Sequence, residues 1–410
     1  MTLLEERQKR IDDAIALREP DRVPITVSGS NYAVVDAGYT LAEAMYDFDK
    51  AADAAIKFLN KYQPDAGGWA GGGRGAIMEL IRPKTLAWPG APDGRIPDNV
   101  SQQFIEFVVL QEEDMGLFME DYTGWLLTKG FPAISGLLEP LAEWDFARYE
   151  MNSYANGFMR MISTPASRKM IQTIWKIDDM SAEMFKKGLE LNKKLVEMGF
   201  PTIMGGQVNV PFDSFSNFYR GTLDTMMDLF DHPEVIKRFI DRNIDYVLEN
   251  ITAFAKANPG KWLFMALHKG MDTFLSDEQY ADYYWKHLRR MIHHIIDVGM
   301  VPFAFCEGKY NTRLKYLSDV PKGKAVFYFE SSDPVAVKQH LNGNSCIQGL
   351  FPSYLLQYGK KQEVIDEAKR LIDILAPGGG YIFNVSAGTD NAKPENMEAM
   401  FDTVKTYGKK

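Results

Sequence analysis

The chain has 410 residues, of which 46% are hydrophobic and 25% charged, and its formal net charge at pH 7 is −9. This length and apolar content suit one large catalytic domain rather than a small binding module. The acidic balance and the absence of a basic run disfavour nucleic acid and anionic membrane surfaces as partners, and only two cysteines indicate a reducing, cytoplasmic setting.

The first part of the chain predicts two alternations of helix and strand. Helices are predicted over Leu4–Leu17 and Leu41–Phe58, and strands over Arg22–Val27 and Pro64–Trp69. No stretch approaches the roughly 20 apolar residues of a membrane span, and the N-terminus lacks the apolar core of a signal peptide. The opening therefore resembles the start of an α/β domain.

Residues 76–160 do not repeat this rhythm, and we expect them to form an insertion packed beside or over the mouth of a barrel. A long helix is predicted over Met161–Met198, and strands resume at Thr202–Gly206, followed by a loop over Gln207–Arg220. No clean linker divides the chain. We therefore expect residues 1–410 to form a single α/β domain, a (β/α)8 barrel with an insertion after its second strand.

Four apolar runs in the last third of the chain carry polar or metal-capable side chains. They are Leu263–Leu267 followed by His268, Val301–Phe305 followed by Cys306 and Glu307, Ala325–Phe329 followed by Glu330, and Ser345–Gly349, which contains Cys346. The carboxyl ends of the strands of a parallel barrel meet at one mouth. This pattern predicts that a His, two Glu and a Cys converge there.

Two-residue alternation directs Glu307 to the mouth and Cys306 outward against helices. Zinc accepts His nitrogen, Cys sulfur and carboxylate oxygen. His268, Glu307 and Cys346 are therefore predicted as zinc ligands, with Glu330 as a fourth ligand or a supporting base. Glu307 and Glu330 are also the predicted catalytic acid/base groups. Three alternatives remain open: Cys346 as a core residue, Glu330 as a helix cap and His268 as a turn residue.

Loops that follow the predicted strands supply the candidate substrate-binding residues, most of them aromatic or amide side chains. They are Asn31, Tyr32, Trp69, Gln207, Phe212 and Tyr354. Flat apolar walls with few polar groups suit a planar small molecule. The alternative is that several of these rings only fill the barrel.

Three segments resemble the uroporphyrinogen decarboxylase superfamily. They are Arg7–Ile25, Phe274–Ser276 with the following Tyr284–Leu288, and Gly378–Phe383 with the following Pro394–Met400. The resemblance runs from about residue 5 to residue 408 and implies an α/β barrel. It also implies one of two chemistries, which are decarboxylation of a tetrapyrrole and zinc-assisted methyl transfer to or from a corrinoid.

The chain departs from both patterns of that superfamily. The decarboxylases carry an Arg-Gln-x-Gly-Arg-Tyr-like element after the first strand, whereas Ser28–Asp36 here contains no arginine. The methyltransferases carry His-x-Cys-Gly where this chain has Phe305–Gly308, and their last Cys ligand falls near Ser386 or Ala387. The segment therefore supplies none of the cations that an anionic tetrapyrrole needs. The usual zinc ligands cannot be carried over to this chain.

These observations lead to one hypothesis and two alternatives. The hypothesis is a corrinoid-dependent methyltransferase that moves a methyl group from a small O-methyl donor, foremost a methoxylated aromatic, to the cobalt of a separate corrinoid protein with the help of Zn²⁺. The alternatives are a metal-free lyase that uses Glu307, and a barrel that binds a ligand or a corrinoid protein without turnover. A homodimer is expected only from the family resemblance.

Overall fold

A computed structural model describes residues 1–66, 71–145 and 154–409, so the predicted substrate residue Trp69 lies outside the described residues. Its centre is a six-stranded parallel sheet in the order β3-β4-β5-β6-β7-β8. These strands are β3 Met204–Gln207, β4 Trp262–Leu267, β5 Val301–Cys306, β6 Val326–Phe329, β7 Cys346–Gly349 and β8 Tyr381–Ile382. A two-stranded antiparallel ribbon consists of β1 Leu86–Ala87 and β2 Gln103–Phe104.

Helices connect and cover the strands. In the first half of the chain they are α1 Leu3–Ile15, α2 Ser30–Asp36, α3 Leu41–Tyr46, α4 Phe48–Tyr62, α5 Gly75–Ile81, α6 Met115–Glu120, α7 Tyr122–Trp125, α8 Phe131–Ile134, α9 Tyr154–Ile162 and α10 Pro165–Glu197. In the second half they are α11 Pro211–Phe215, α12 Thr222–Asp231, α13 Pro233–Ala257, α14 Asp277–Gln279, α15 Lys286–Asp297, α16 Leu314–Leu317, α17 Pro334–Leu341, α18 Ser353–Tyr358, α19 Lys361–Leu375 and α20 Pro394–Tyr407.

The sheet continues from β8 into the region predicted as the first strand. Ile25 forms a parallel bridge with Phe383, and the Asp65 amide donates to the Ile25 carbonyl oxygen at 2.7 Å. Within the described residues, no strand pairing joins the segment around Asp65 to β3. The predicted parallel α/β architecture is confirmed. The first predicted strand is present as the bridge at Ile25, and the second contributes the hydrogen bond of Asp65, while its residues 67–69 lie outside the described residues.

Side-chain alternation divides the strands between two environments. On β5, Ala304 and Cys306 point outward and are buried against helices, in the same core cluster as Tyr280. Phe303 and Phe305 point inward. The outward orientation of Cys306 was predicted from period-two alternation, and the inward side chains enclose the space that holds the candidate site.

The region from residue 76 to residue 145 contains short helices and the β1–β2 ribbon rather than βα units. Ser101 accepts a 2.8 Å hydrogen bond from Asn31, and the Leu110 amide donates to the Tyr219 carbonyl oxygen at 2.7 Å. Asn31 lies on α2, which follows the first strand, and Tyr219 lies in the helical segment after α11, which follows β3. The assignment of residues 76–160 as an insertion in a single domain stays a prediction.

In residues 1–66, 71–145 and 154–409, no helix is both long enough and apolar enough to cross a membrane.

A buried ion-pair cluster ties the N-terminal helix to the first strand. Asp65 is fully buried and contacts Arg10 at 2.5 Å and Arg22 at 2.7 Å, and it accepts a 2.8 Å hydrogen bond from the Ile25 amide. Its two oxygens therefore offset two cations and one backbone donor. Removal of this carboxylate would leave the half-buried Arg22 without its carboxylate partner and Arg10 with Asp21 alone.

We expect Asp65→Asn to lower the free energy of unfolding by about 3–5 kcal/mol, because one partner of a buried ion-pair network is lost. Urea denaturation followed by circular dichroism measures this change. Asp21→Asn is the matched control, since Asp21 also contacts Arg10 at 2.6 Å but its side chain is 67% exposed. The control should lose about 1 kcal/mol or less. Equal losses in the two variants would contradict the structural role of Asp65.

Candidate functional site

His268 and Glu307 form a pair directly after two neighbouring strands. Leu267 and Cys306 are in register, so the next residue on each strand lies side by side. His268 Nδ1 is 2.7 Å from Glu307 Oε2, and the side chains are 34% and 39% exposed. Within the described part of the chain, no hydrogen bond is made to His268 Nε2. This nitrogen can therefore face a bound molecule.

The contact favours the charged form of both groups. The hydrogen bond to Glu307 raises the pKa of His268 against the opposing effect of burial, and the buried Asp213 adds attraction. The same hydrogen bond lowers the pKa of Glu307 against desolvation. The contact therefore favours the imidazolium–carboxylate form of the pair, in which His268 carries a proton that it can donate.

Asp213 fixes the chain around His268 from behind. Its fully buried carboxylate accepts hydrogen bonds from the amides of His268 at 3.1 Å and Lys269 at 2.8 Å, and from the Tyr284 hydroxyl at 2.5 Å. Burial raises the pKa of Asp213, and the hydrogen bond from Tyr284 acts in the opposite direction. Asp213 thus positions His268 through its backbone.

Glu330 fastens the neighbouring turn. Its Oε2 accepts a 2.5 Å hydrogen bond from the amide of Gly308, the residue after Glu307. Gly308 has φ +78°, a left-handed backbone conformation in which a residue with a Cβ would be strained, so glycine is favoured there. Glu330 therefore holds the backbone beside Glu307, as a supporting residue would.

Cys346 lies at the opposite end of the sheet, so the predicted convergence of four metal ligands is wrong for this residue. It is in register with Val326, which is in register with Phe303, and Glu307 follows four residues later. At about 3.3 Å per residue, Cys346 starts roughly 13 Å before the level of Glu307. The reason is that Cys346 begins β7 rather than ending it.

The surroundings of Cys346 are those of a core residue. It is fully buried in a cluster with Ile11 and Ile15 of α1 and with Trp262, and burial raises the pKa of its thiol. Across residues 1–66, 71–145 and 154–409, no three His, Cys, Asp or Glu side chains lie close enough together to hold a metal ion. The described residues therefore do not fit a zinc site.

A cavity of about 340 Å³ lies on the face of the sheet to which Phe303 and Phe305 point. Its lining residues are Thr26, Ser28, Ser30, Ala66, Ile203, Met204, Trp262, Phe264, Phe303, Phe305, Tyr328, Gln348, Asn384, Val385, Ala387, Gly388 and Thr389. The Tyr328 ring lies parallel to Phe303, with ring centres 5.9 Å apart, and is tilted against Phe305 at 4.6 Å. The strands β4, β5 and β6 thus form an aromatic wall.

The other wall is polar and uncharged. Among the residues that the structure describes, Thr26 Oγ1 and Gln348 Oε1 are buried without a hydrogen-bond partner. Each such atom costs about 1–3 kcal/mol when it is left unsatisfied. None of the described residues that line this cavity is Lys, Arg, His, Asp or Glu. The cavity therefore suits a molecule that is neutral where it is enclosed.

The predicted substrate residues lie elsewhere. Asn31 donates to Ser101 and Asp390, and Tyr32 is buried with its hydroxyl 2.7 Å from that of Tyr62. Phe212 is fully buried behind His268, whereas Gln207 and Tyr354 are exposed. None of these five lines the 340 Å³ cavity. The sequence signal that identifies the lining is strand alternation, which points Phe305, Tyr328 and Gln348 inward.

Comparisons with known proteins agree with this fold. The family model described as uroporphyrinogen decarboxylase (URO-D) matches residues 154–407. A uroporphyrinogen decarboxylase from Ruegeria pomeroyi is 37% identical over 68 residues, which cover 16% of this chain and 19% of that protein. The match thus spans only about a fifth of that relative's length. The structure of a methyltransferase from Methanosarcina mazei shares the fold, with a TM-score of 0.60, 13% identity and 98% coverage of both chains.

We expect Glu307→Gln to lower the pKa of His268, because the carboxylate that holds its proton is lost. NMR titration of the imidazole carbon-bound protons measures this pKa. The stabilising effect of the pair requires both charges, so it should be largest between about pH 4.5 and 6.5, the ordinary pKa values of the two groups. It should fade above this window as His268 deprotonates and below it as Glu307 is protonated.

Glu330→Gln is the matched control, because Glu330 binds the Gly308 amide rather than His268. A His268 pKa that is equally unaffected by both substitutions would contradict the ion pair.

Proposed function

The chain belongs to the uroporphyrinogen decarboxylase (URO-D) family, and within this family we propose that it is a methyltransferase that moves a methyl group from a small O-methyl donor to a corrinoid. This proposal rests on the His268–Glu307 pair, which supplies a proton donor directly after β4 and β5. These two strands also contribute aromatic side chains to the cavity described above. The fold of the Methanosarcina mazei methyltransferase gives further support.

The cavity argues against tetrapyrrole decarboxylation as the alternative. A substrate with many carboxylates needs several fixed cations, and the part of the lining that the structure describes contains none. The described lining therefore offers the carboxylates of such a substrate no ion-pair partner.

The proposed reaction is difficult because the oxygen of the donor is a poor leaving group. A phenolate or alkoxide leaves poorly unless it is protonated, since the conjugate acid of a phenolate has a pKa near 10. In the proposed step, the acceptor supplies the electron pair of its new bond to the methyl carbon. The C–O bonding pair stays on oxygen, which takes the proton from His268 Nε2.

The neighbouring residues keep His268 ready for this step. Glu307 holds the imidazole in its protonated form and orients the ring through Nδ1. Asp213 fixes the backbone at His268. The imidazole is partly exposed, so water can restore its proton after each turnover.

Zinc was predicted to assist the reaction, and the described residues do not support that role. His268 and Glu307 are in contact, but Cys346 lies at the far end of the strands and Glu330 binds a backbone amide. We therefore derive no step through zinc. Protonation by His268 takes the place of metal activation in this proposal.

The acceptor is proposed to be the cobalt of a corrinoid bound to a separate protein, as the family resemblance implies. Both cysteines are free and buried, in keeping with the proposed cytoplasmic location. A homodimer stays a prediction.

The test is an anaerobic assay of methyl transfer from neutral methoxylated aromatics to reduced cobalamin. The absorbance change of the corrinoid measures the rate. We expect His268→Gln to lower the rate about 10²–10⁴-fold through the loss of a general acid. The wild-type rate should fall as pH rises through the pKa of His268, and Glu307→Gln should move that fall to lower pH.

Cys346→Ala is the control variant and should retain the wild-type rate, because Cys346 lies far from His268. A protein that transfers no methyl group to cobalamin, and that instead decarboxylates a porphyrinogen, would contradict the proposal and support the lyase alternative. A pH profile that is the same in the wild type and Glu307→Gln would refute the role of the pair.

A further inference from the structure

Two tyrosines support the turn that carries His268. Tyr284 lies on the helical segment Tyr280–Trp285 before α15, Tyr310 lies in the loop after β5, and both are fully buried. A Cβ at Gly270 would come within 2.7 Å of the Tyr310 hydroxyl and 2.8 Å of the Tyr284 ring. Because these rings are buried and cannot easily move aside, the turn rests directly on them.

The hydroxyls of both tyrosines bind polar groups at this turn. The Tyr310 hydroxyl donates to the Leu267 carbonyl oxygen at 2.6 Å. The Tyr284 hydroxyl donates to Asp213 Oδ2 at 2.5 Å, and the same oxygen accepts from the His268 amide at 3.1 Å. Tyr284 therefore reaches the backbone of His268 through one carboxylate oxygen.

The Tyr284 hydroxyl favours the charged form of Asp213. Burial raises the pKa of this carboxyl group, and the hydrogen bond from Tyr284 is the largest effect that lowers it. The nearby phenols of Tyr280 and Tyr310 remain neutral, because burial raises the pKa of each well above its usual value. Without the Tyr284 hydroxyl, Asp213 would therefore bind a proton more readily.

The charge of Asp213 affects His268, which two carboxylates flank from different elements. The hydrogen bond to Glu307, which follows β5, raises the pKa of His268 against the effect of burial. The negative charge of Asp213, on α11, raises this pKa further, and the positive charge of Lys269 lowers it. The loss of either negative charge would therefore weaken the hold of His268 on its proton.

We propose that Tyr284 is a positioning residue for the proton transfer, which acts on His268 through the carboxylate of Asp213. It fixes the turn that presents the imidazole to Glu307, and it keeps a negative charge behind that imidazole. Tyr284 is fully buried, so its effect is exerted through Asp213 and not on the donor itself. This proposal rests on the proposed methyl-transfer function and adds a residue to the same site.

Tyr284→Phe tests the proposal, because it removes one hydroxyl and keeps the ring that stacks on Tyr280 and packs against Phe212. NMR titration of the His268 imidazole in the full-length protein should give a lower pKa than in the wild type. The reason is that Asp213 then accepts a proton more readily and no longer attracts the imidazolium. Asp213→Asn should lower this pKa at least as far, since the charge is lost at every pH.

Tyr381→Phe is the matched control, because the buried Tyr381 hydroxyl donates to the Gly349 carbonyl oxygen at 3.2 Å, away from His268. It should leave the pKa of His268 unchanged. Thermal melting of the variants measures their stability. A Tyr284→Phe protein that melts earlier but keeps the wild-type pKa of His268 would assign Tyr284 to packing alone and overturn the proposal. An Asp213 carboxyl carbon that reports the protonated form in the wild type at pH 7 would overturn it even if neither variant folds.

The methyl-transfer assay gives the second readout. Tyr284→Phe should lower kcat about tenfold through misplacement of the acid and shift the fall in rate to lower pH, while KM changes less than about twofold. Failure of this proposal is distinguishable from failure of the proposed function. A lowered pKa of His268 in a protein that transfers no methyl group would contradict the function and support the positioning role. Wild-type kcat and pH profile in Tyr284→Phe would overturn the positioning role alone.

Discussion

In-register pairing of parallel strands is the constraint on which the site depends. Once β4 and β5 are paired, the side chains that follow Leu267 and Cys306 must lie next to each other, which creates the His268–Glu307 contact. The same register places Cys346 near the start of the strands and excludes it from that contact. Side-chain alternation along each strand decides which face of the sheet a residue occupies. It directs the aromatic side chains inward and leaves Cys306 in the core that faces the helices.

Buried carboxylates hold the two ends of the sheet by the same physical means. Asp65 accepts from two guanidinium groups and a backbone amide near the first strand, and Asp213 accepts from two amides and a tyrosine hydroxyl behind His268. A desolvated carboxylate is tolerated only when its oxygens are paired in this way. The cavity lining differs from both, since among the described residues Thr26 Oγ1 and Gln348 Oε1 are buried without a hydrogen-bond partner.

Strand and residue patterns predicted the parallel α/β fold and the neighbourhood of His268 and Glu307, because both follow from periodicity and from the geometry of strand ends. Cys346 could not be placed, because its height depends on where β7 begins, and an apolar run does not specify which of its residues enters the ladder first. Asn31, Tyr32 and Phe212 were predicted as ligand contacts because they follow strands. The structure uses them in packing and loop contacts, which only the tertiary arrangement determines. The polar part of the cavity lining at Gln348 could not be predicted from the sequence either, because the neighbours of Gln348 come from β8 and the first strand.

A crystal structure of the protein with a neutral methoxylated aromatic tests the central claim most directly, namely that His268, held by Glu307, gives its proton to the leaving oxygen of the methyl donor. We expect the methoxy oxygen within roughly 3 Å of His268 Nε2. A methoxy group directed toward Cys346 and away from His268 would contradict this claim.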